Sequence, residues 1–136
     1  MDESLQNEVR RRAGNACEYC RLPAGVHPSP FEIEHIVAQQ HGGATSLRNL
    51  AFACLRCNRH KGTNIAGIAR IGSRTVIVPL FHPRRHKWSR HFRWSGPYLI
   101  GRTAIGRVTV ELLKINDPLR VAVRESLMNE GLFDTT

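Results

Sequence analysis

Apolar and polar positions along the chain predict a mixture of short helices and strands. Between Ser4 and about Ala13, apolar residues recur every four positions, which predicts a short helix with Ser4 as its N-cap. Residues 31–37, with the sequence FEIEHIV, alternate apolar and polar side chains as a strand does. Gly42 and Gly43 then predict a turn whose backbone geometry residues with a Cβ adopt rarely.

Further short elements are predicted downstream of that turn. Residues 46–51 are expected to return toward a cysteine pair, and residues 57–65 are compatible with a helix. A strand is expected over residues 75–81, where Pro79 indicates the edge of a sheet because proline cannot donate to a ladder. Residues 98–100 predict a second short strand.

Two helices are predicted near the C-terminus. Thr103 can cap a helix that runs through Leu113. Pro118 suits the first position of a final helix that ends at about Asn129, since its missing N–H has no partner there in any case.

The length and polarity of the chain indicate one intracellular domain. Its 136 residues suffice for a single domain with a modest core. No apolar stretch is long enough to cross a membrane, and residues 1–8 lack the apolar segment of a secretory signal. We therefore expect a soluble, cytoplasmic protein with no membrane partner.

Four cysteines occur as two pairs of identical spacing, Cys17-x2-Cys20 and Cys54-x2-Cys57. In an intracellular protein such pairs are more typical of metal ligands than of disulfides. Four thiolates form the closed tetrahedral set that zinc prefers in structural sites. The segment between the pairs is longer than in a compact zinc ribbon, so the metal is expected to clamp a functional excursion of the chain.

Positive charge is concentrated in the middle of the chain. Between His35 and Val110 there is no Asp or Glu, whereas the segment contains 13 Lys or Arg residues. Such unpaired charge repels itself, and a polyanion such as a nucleic-acid backbone would neutralise it. General basicity, or an acidic protein partner, is the alternative explanation.

The segment from His82 to Trp94 combines basic and aromatic side chains. This composition suits a nucleic-acid groove, in which charge follows the phosphates and aromatic rings stack or wedge. Alternatively, Trp88, Phe92 and Trp94 pack a small core and leave the basic residues solvated. The basic candidates of this segment are Arg84, Arg85, Lys87, Arg90 and Arg93.

The dipeptide Glu34-His35 has the chemistry for phosphodiester hydrolysis. An imidazole titrates near neutral pH and can take a proton from water, which makes His35 a candidate general base. Glu34 supplies a hard oxygen ligand suited to Mg²⁺ or Mn²⁺. Because neighbouring side chains of a strand point to opposite faces, the pair is expected at a strand end. Glu32 is the other carboxylate nearby, and a solvated strand position is favoured for it.

Six ordered motifs resemble the HNH endonuclease family, specifically its four-cysteine branch. They span residues 8–67, about the first half of the chain. The resemblance implies a ββα-metal core around one catalytic divalent cation. The motifs are Cys17-Glu18-Tyr19-Cys20, Ile33-Glu34-His35-Ile36-Val37, Gly42-Gly43, Arg48-Asn49-Leu50-Ala51, Cys54-Leu55-Arg56-Cys57-Asn58 and Lys61-Gly62.

The resemblance also implies roles for individual residues. His35 would be the general base, and Glu34 and Asn58 would hold the catalytic Mg²⁺ or Mn²⁺, although most family members carry Asp where this chain has Glu34. Asn58 could instead cap a helix. Asn49 would brace the loop and orient His35.

The end of the motif also contains candidates for contact with the nucleic acid. Lys61 matches a basic residue of the family that could hold a phosphate, with a solvated surface lysine as the alternative. His60 and Arg59 are candidates for the same surface, and His41 could approach the substrate.

We therefore expect a small zinc-clamped α+β protein with an HNH ββα-metal core at residues 8–67. Residues 68–136 would form a basic, aromatic extension of short strands and helices within the same single domain. The predicted activity is metal-dependent hydrolysis of DNA, most simply double-stranded, with a dimer or repeated nicking needed to sever a duplex. A non-catalytic zinc DNA-binding module and a nuclease acting on RNA are the alternatives.

Overall fold

A computed structural model describes residues 1–26 and 28–135, so His27 and Thr136 lie outside the described residues. Among the described residues, no helix is long and apolar enough to span a membrane. The elements in chain order are α1 (Glu3–Arg12), β1 (Phe31–His35), β2 (Leu50–Cys54), α2 (Leu55–Lys61), β3 (Ala66–Ile71), β4 (Arg74–Pro79), α3 (Trp88–His91), β5 (Phe92–Ser95), β6 (Tyr98–Gly101), α4 (Ala104–Leu112) and α5 (Pro118–Asn129).

The centre of the fold is a β-hairpin followed directly by a helix. Strands β1 and β2 pair antiparallel from Phe31 opposite Cys54 to His35 opposite Leu50. All five residues of β2 are buried, so the hairpin lies between two packed layers. Helix α2 begins at the residue after β2 and contacts both strands. This ββα arrangement and the mixed α/β content confirm the predicted fold class.

The two faces of the hairpin bury different residues. One face packs against α1, where Val9, Leu50 and Phe52 form a small apolar cluster together with the half-buried Ile33. The other face carries Glu34 toward α2 and the main core. The prediction that Ser4 caps α1 is wrong: Asp2 is the N-cap, and its carboxylate accepts a hydrogen bond from Leu5 N at 2.8 Å.

The second half of the chain adds two more hairpins and two helices. Strands β3 and β4 form a two-stranded ribbon that lies on α4, and β5 pairs with β6. The predicted C-terminal helices are confirmed: the Thr103 hydroxyl caps α4, and Pro118 begins α5. Helix α2 is shorter than predicted because Gly62, at φ 52°, ends it after Lys61.

Candidate functional site

The four cysteines converge at one buried point. Cys17 and Cys20 lie in the turn after α1, while Cys54 ends β2 and Cys57 lies in the first turn of α2. Their four sulfur atoms are all within 4.8 Å of one another. The cluster therefore ties the N-terminal turn to the junction between the hairpin and its helix.

The donor chemistry and spacing of this cluster fit a structural zinc ion. Zinc–thiolate bonds of about 2.3 Å in a tetrahedron place the sulfur atoms about 3.8 Å apart. The Cys20 and Cys54 sulfur atoms are 3.7 Å apart. Full burial of all four side chains matches a closed site without a position for substrate.

Arg120 of α5 lies against the cysteine cluster. Its guanidinium donates to the Cys57 sulfur at 2.9 Å and to the Leu113 carbonyl at 2.6 Å. Zinc with four thiolates has a net negative charge, and a buried guanidinium offsets part of it. The C-terminal helix thus completes the environment of the predicted metal. The sequence gives no local signal for this role, because Arg120 lies 63 residues from Cys57.

His35 is the last residue of β1, as expected for the Glu34-His35 pair. Its Nε2 lies 2.8 Å from the hydroxyl of Thr45, in the loop that returns to β2. The Thr45 hydroxyl also accepts a weak hydrogen bond from the Gln39 side chain at 3.5 Å. Thr45 therefore orients the His35 ring, a role that no sequence motif indicated.

Asn49 braces the loop next to His35. Its side-chain oxygen accepts from Val37 N, and its amide nitrogen donates to the carbonyls of Val37 and Ala44, each at 2.9 Å. Gly43 makes this loop possible, since a Cβ there would lie 1.8 Å from the Val37 carbonyl oxygen. The Asn49 amide thus contacts the loop backbone on both sides of the turn.

Glu34 lies on the opposite face of β1 from His35 and is 6 % exposed. One carboxylate oxygen accepts from the Tyr19 hydroxyl, and the other lies 3.3 Å from Lys61 Nζ. Burial raises the pKa of Glu34, while Lys61 and Tyr19 oppose that rise. Burial, reinforced by the Glu34 carboxylate, holds the pKa of Tyr19 well above its usual value, so its hydroxyl remains a donor.

Lys61 occupies a different environment from the one expected of a phosphate contact. Its side chain is buried, with 1 % of the residue exposed, and Nζ donates to the Ile36 carbonyl at 2.8 Å. Of its predicted neighbours on this surface, Arg59 is exposed and His60 is half-buried. Burial, together with the charge of Arg120, lowers the pKa of His60, so its imidazole adds little positive charge near neutral pH.

Asn58 and Glu34 have the donor chemistry for a hard divalent cation. Asn58 is half-buried within α2, and its backbone carbonyl accepts from Gly62 N at 3.0 Å. Carboxylate and amide oxygens are suitable ligands for Mg²⁺ or Mn²⁺. Each carboxylate oxygen has two lone pairs, so Tyr19 and Lys61 leave acceptor capacity on Glu34. The side-chain oxygens of these two residues are therefore of the kind that such a cation prefers.

The basic candidates between His82 and Trp94 divide into two groups. Arg84 is partly buried and forms an ion pair with Glu18, whose other carboxylate oxygen accepts from Phe52 N at 2.9 Å. Arg84 thus joins the extension to the hairpin. The side chains that face solvent are Arg85, Lys87, Arg90 and Arg93.

The aromatic residues of this segment pack together. Phe92 is buried, and Trp88 lies against it with ring centroids 5.2 Å apart. The Trp88 indole donates to the Tyr19 carbonyl at 2.9 Å, and the Arg21 guanidinium lies 4.7 Å above its ring. Trp94 is half-buried and contacts the same group. These rings therefore pack together in a small core, as the alternative to a nucleic-acid groove expected.

The three histidines of the segment contribute little charge near neutral pH. Burial is the largest influence on each, and it lowers the pKa of His82, His86 and His91. Nearby arginines and histidines reinforce the effect. The positive potential here therefore comes from the exposed arginines and lysine.

Residues 17–64 match the family model described as HNH endonuclease. The chain is also 26 % identical over 125 residues to the Septu protein PtuB of Bacillus thuringiensis. That alignment covers 90 % of this chain but 45 % of the relative, so the chain spans less than half of the relative's length. No solved structure matches the chain.

Proposed function

We propose that this chain, which matches the HNH endonuclease family model over residues 17–64, hydrolyses DNA phosphodiester bonds with a divalent cation. His35 is the proposed general base, with Glu34 and Asn58 as cation ligands. The exposed basic side chains of the extension are proposed to contact the DNA backbone. The match to an HNH domain implies a nucleic-acid substrate.

The observation that carries the proposal is the placement of His35 within the matched domain. The residue ends β1, and its Nε2 is hydrogen-bonded to Thr45 at 2.8 Å. If Nε2 holds the proton and donates to Thr45, the neutral ring keeps Nδ1 as an acceptor. An oriented imidazole with one free acceptor nitrogen is what a general base for water requires.

The reaction can be followed through the residues of this chain. His35 Nδ1 takes a proton from water as the water oxygen bonds to phosphorus. The bond from phosphorus to the 3′ oxygen breaks, and that oxygen takes a proton from a solvent water molecule, which leaves a 3′ hydroxyl and a 5′ phosphate. A divalent cation held by Glu34 and Asn58 would stabilise the developing negative charge. Asn49 holds the loop in place, and the loop in turn positions Thr45 and His35.

The exposed charge of the extension suits a continuous phosphate backbone, which supports a nucleic-acid substrate. Arg85, Lys87, Arg90 and Arg93 lie within nine consecutive positions, and all four are exposed. No carboxylate occurs between His35 and Val110 to neutralise them locally. Duplex, single-stranded DNA and RNA share this backbone charge, so the experiment compares all three.

Supercoiled plasmid incubated with the purified protein and Mg²⁺ or Mn²⁺ should convert to the open-circular or linear form. Chelation of the added metal should stop the reaction, while the buried cysteine site keeps its own ion. Single-stranded DNA and RNA of matched length are compared under the same conditions. Preferential cleavage of RNA would contradict the DNA assignment while supporting a nuclease.

Binding of duplex DNA should depend steeply on salt. Each phosphate contact contributes a slope of about −0.9 to the logarithm of affinity against the logarithm of salt concentration. Changing Arg85, Lys87, Arg90 and Arg93 together to glutamine should therefore make the slope shallower by up to roughly 3.6. Fluorescence anisotropy without divalent metal measures binding and avoids cleavage.

The matched control changes Arg10 and Arg11 of α1 to glutamine, which removes charge from an exposed face outside the proposed surface. Arg11 already pairs with Glu8, so its charge is partly compensated. The control removes two charges and the quadruple variant removes four, so a change of slope in the control about half as large as in the quadruple variant would contradict a localised contact surface. It would indicate that net charge alone attracts DNA.

A second candidate function is a non-catalytic zinc-stabilised DNA-binding module. The observation in its favour is that both carboxylate oxygens of Glu34 already have protein partners, Tyr19 and Lys61. Under this alternative, the protein would bind DNA with the same salt dependence and cleave none of the substrates with any of the metals.

A further inference from the structure

Lys61 contacts the chain on both sides of His35. Its Nζ donates to the Ile36 carbonyl at 2.8 Å and lies 3.3 Å from the Glu34 carboxylate. Glu34 is the residue before His35 in the chain, and Ile36 is the residue after it. One buried ammonium therefore holds the two residues that flank the proposed general base.

The contact with Ile36 has a structural cause. The β1–β2 ladder ends at the pair of His35 and Leu50, so the Ile36 carbonyl has no partner in the ladder. A buried carbonyl without a hydrogen bond is costly, and the Lys61 ammonium supplies the missing donor. On the other side, Ile36 N donates to the Asn49 carbonyl at 2.8 Å.

Glu34 supplies the negative charge that keeps Lys61 in this position. Its other carboxylate oxygen accepts a hydrogen bond from Tyr19, which lies between Cys17 and Cys20. This hydrogen bond therefore also connects the cysteine cluster to the end of β1. Moving Lys61 out to a phosphate would leave the buried Ile36 carbonyl without its donor, which is costly whether or not a cation also binds Glu34.

We propose that Lys61 is a positioning residue that fixes the backbone on either side of His35, and that it makes no contact with the phosphates of the substrate. This inference rests on the proposed nuclease function for its catalytic consequence. The interactions themselves can be tested without any cleavage, so the two proposals can fail separately.

The first experiment uses the unaltered protein. The chain contains three lysines, of which Lys87 and Lys114 are exposed and Lys61 is buried. Reductive methylation under native conditions, mapped by mass spectrometry, should modify Lys87 and Lys114 and leave Lys61 unmodified. Duplex DNA should slow the modification of Lys87, while Lys61 should stay unmodified with or without it. Rapid modification of Lys61 that duplex DNA suppresses would overturn the proposal.

The second experiment compares Lys61→Met with Lys87→Met. Misplacement of a catalytic group by about 1 Å can cost about 10²-fold in rate, so Lys61→Met should lower kcat by up to that factor and leave KM unchanged. The salt slope of DNA binding should not change. Lys87→Met should make that slope shallower by about 0.9, as the loss of one phosphate contact does.

A third readout separates positioning from general loss of structure. In Lys61→Met, the NMR signals of the His35 ring should shift, while the exposed His41 ring keeps its signals. Should Lys61→Met fail to fold, Tyr19→Phe replaces it, because it removes the other donor to Glu34 and preserves the ring. A salt slope reduced by about one in Lys61→Met, or an unmoved His35 signal in the folded variant, would contradict the proposal.

Discussion

Replacing His35 with alanine is expected to lower the rate of plasmid cleavage by about 10²- to 10⁴-fold, the usual contribution of a general base. The side chain is half-buried, and its described hydrogen bond is to Thr45, so its removal should leave the fold intact. The affinity for duplex DNA should stay the same, because the exposed basic residues lie elsewhere in the chain. Cleavage is measured by single-turnover kinetics, and binding by anisotropy without divalent metal.

Two further variants make this result specific to the imidazole. Gln40→Ala changes an exposed side chain of the same loop and should cleave at the normal rate. Thr45→Val removes the hydrogen bond to His35 while keeping a similar shape, and it should cause a smaller loss than His35→Ala. Full cleavage by His35→Ala would assign the base to another residue.

Loss of the metal from the cysteine cluster is expected to unfold the protein. Structural zinc sites contribute an apparent binding free energy of about 10–16 kcal/mol, whereas a whole domain is stable by about 5–15 kcal/mol. Cys54→Ser should therefore lose zinc and the cooperative thermal transition together. Elemental analysis should find one zinc per chain in the unaltered protein purified without chelator, and circular dichroism should record the melting.

The control for this change is Ala44→Ser, which introduces the same hydroxyl group at an exposed position between the two cysteine pairs. It should keep both the zinc and the melting temperature. A zinc-free protein with an unchanged melting transition would show that the four cysteines contribute to the fold through packing alone.

Local patterns predicted several elements because their signals lie within a few residues. The Thr103 hydroxyl and Pro118 mark the starts of α4 and α5 through interactions with the next turn of the same helix. The alternation from Phe31 to His35 predicted β1 because Phe31 and Ile33 share one face and pack against Leu50 and Phe52, although the other face buries Glu34. Asp2 caps α1 instead of the predicted Ser4. Both residue types can cap a helix, and a helix that begins at either position has the same apolar residues on one face.

Strand β3 had no comparable signal. Its residues include Ala66, Gly67 and Ala69, which have low intrinsic preference for strands. The strand forms because β4 pairs with it and α4 packs closely against it: a Cβ at Gly67 would lie 2.4 Å from a Val108 methyl group. The glycine therefore serves a tertiary contact that lies 41 positions away in the chain.

The basic candidates show the same division between composition and environment. The sequence established an excess of positive charge, and it predicted Lys61 and Arg84 as nucleic-acid contacts along with the other basic residues. The fold pairs Lys61 with Glu34 and Arg84 with Glu18, and both pairs are largely removed from solvent. Charge is a property of composition, whereas exposure depends on which carboxylates the fold brings near.

The sequence by itself determined the two cysteine pairs, the Glu34-His35 pair and the resemblance that the match over residues 17–64 confirmed. These features can be recognised from residue type and short spacing, because all the necessary information lies within one stretch of the chain. Tertiary structure alone brought Thr45 to His35, Arg120 to Cys57, and Tyr19 and Lys61 to Glu34. Each of these contacts joins residues from separate parts of the chain. Which residues meet depends on how the hairpin, α2 and α5 pack around the cysteine cluster.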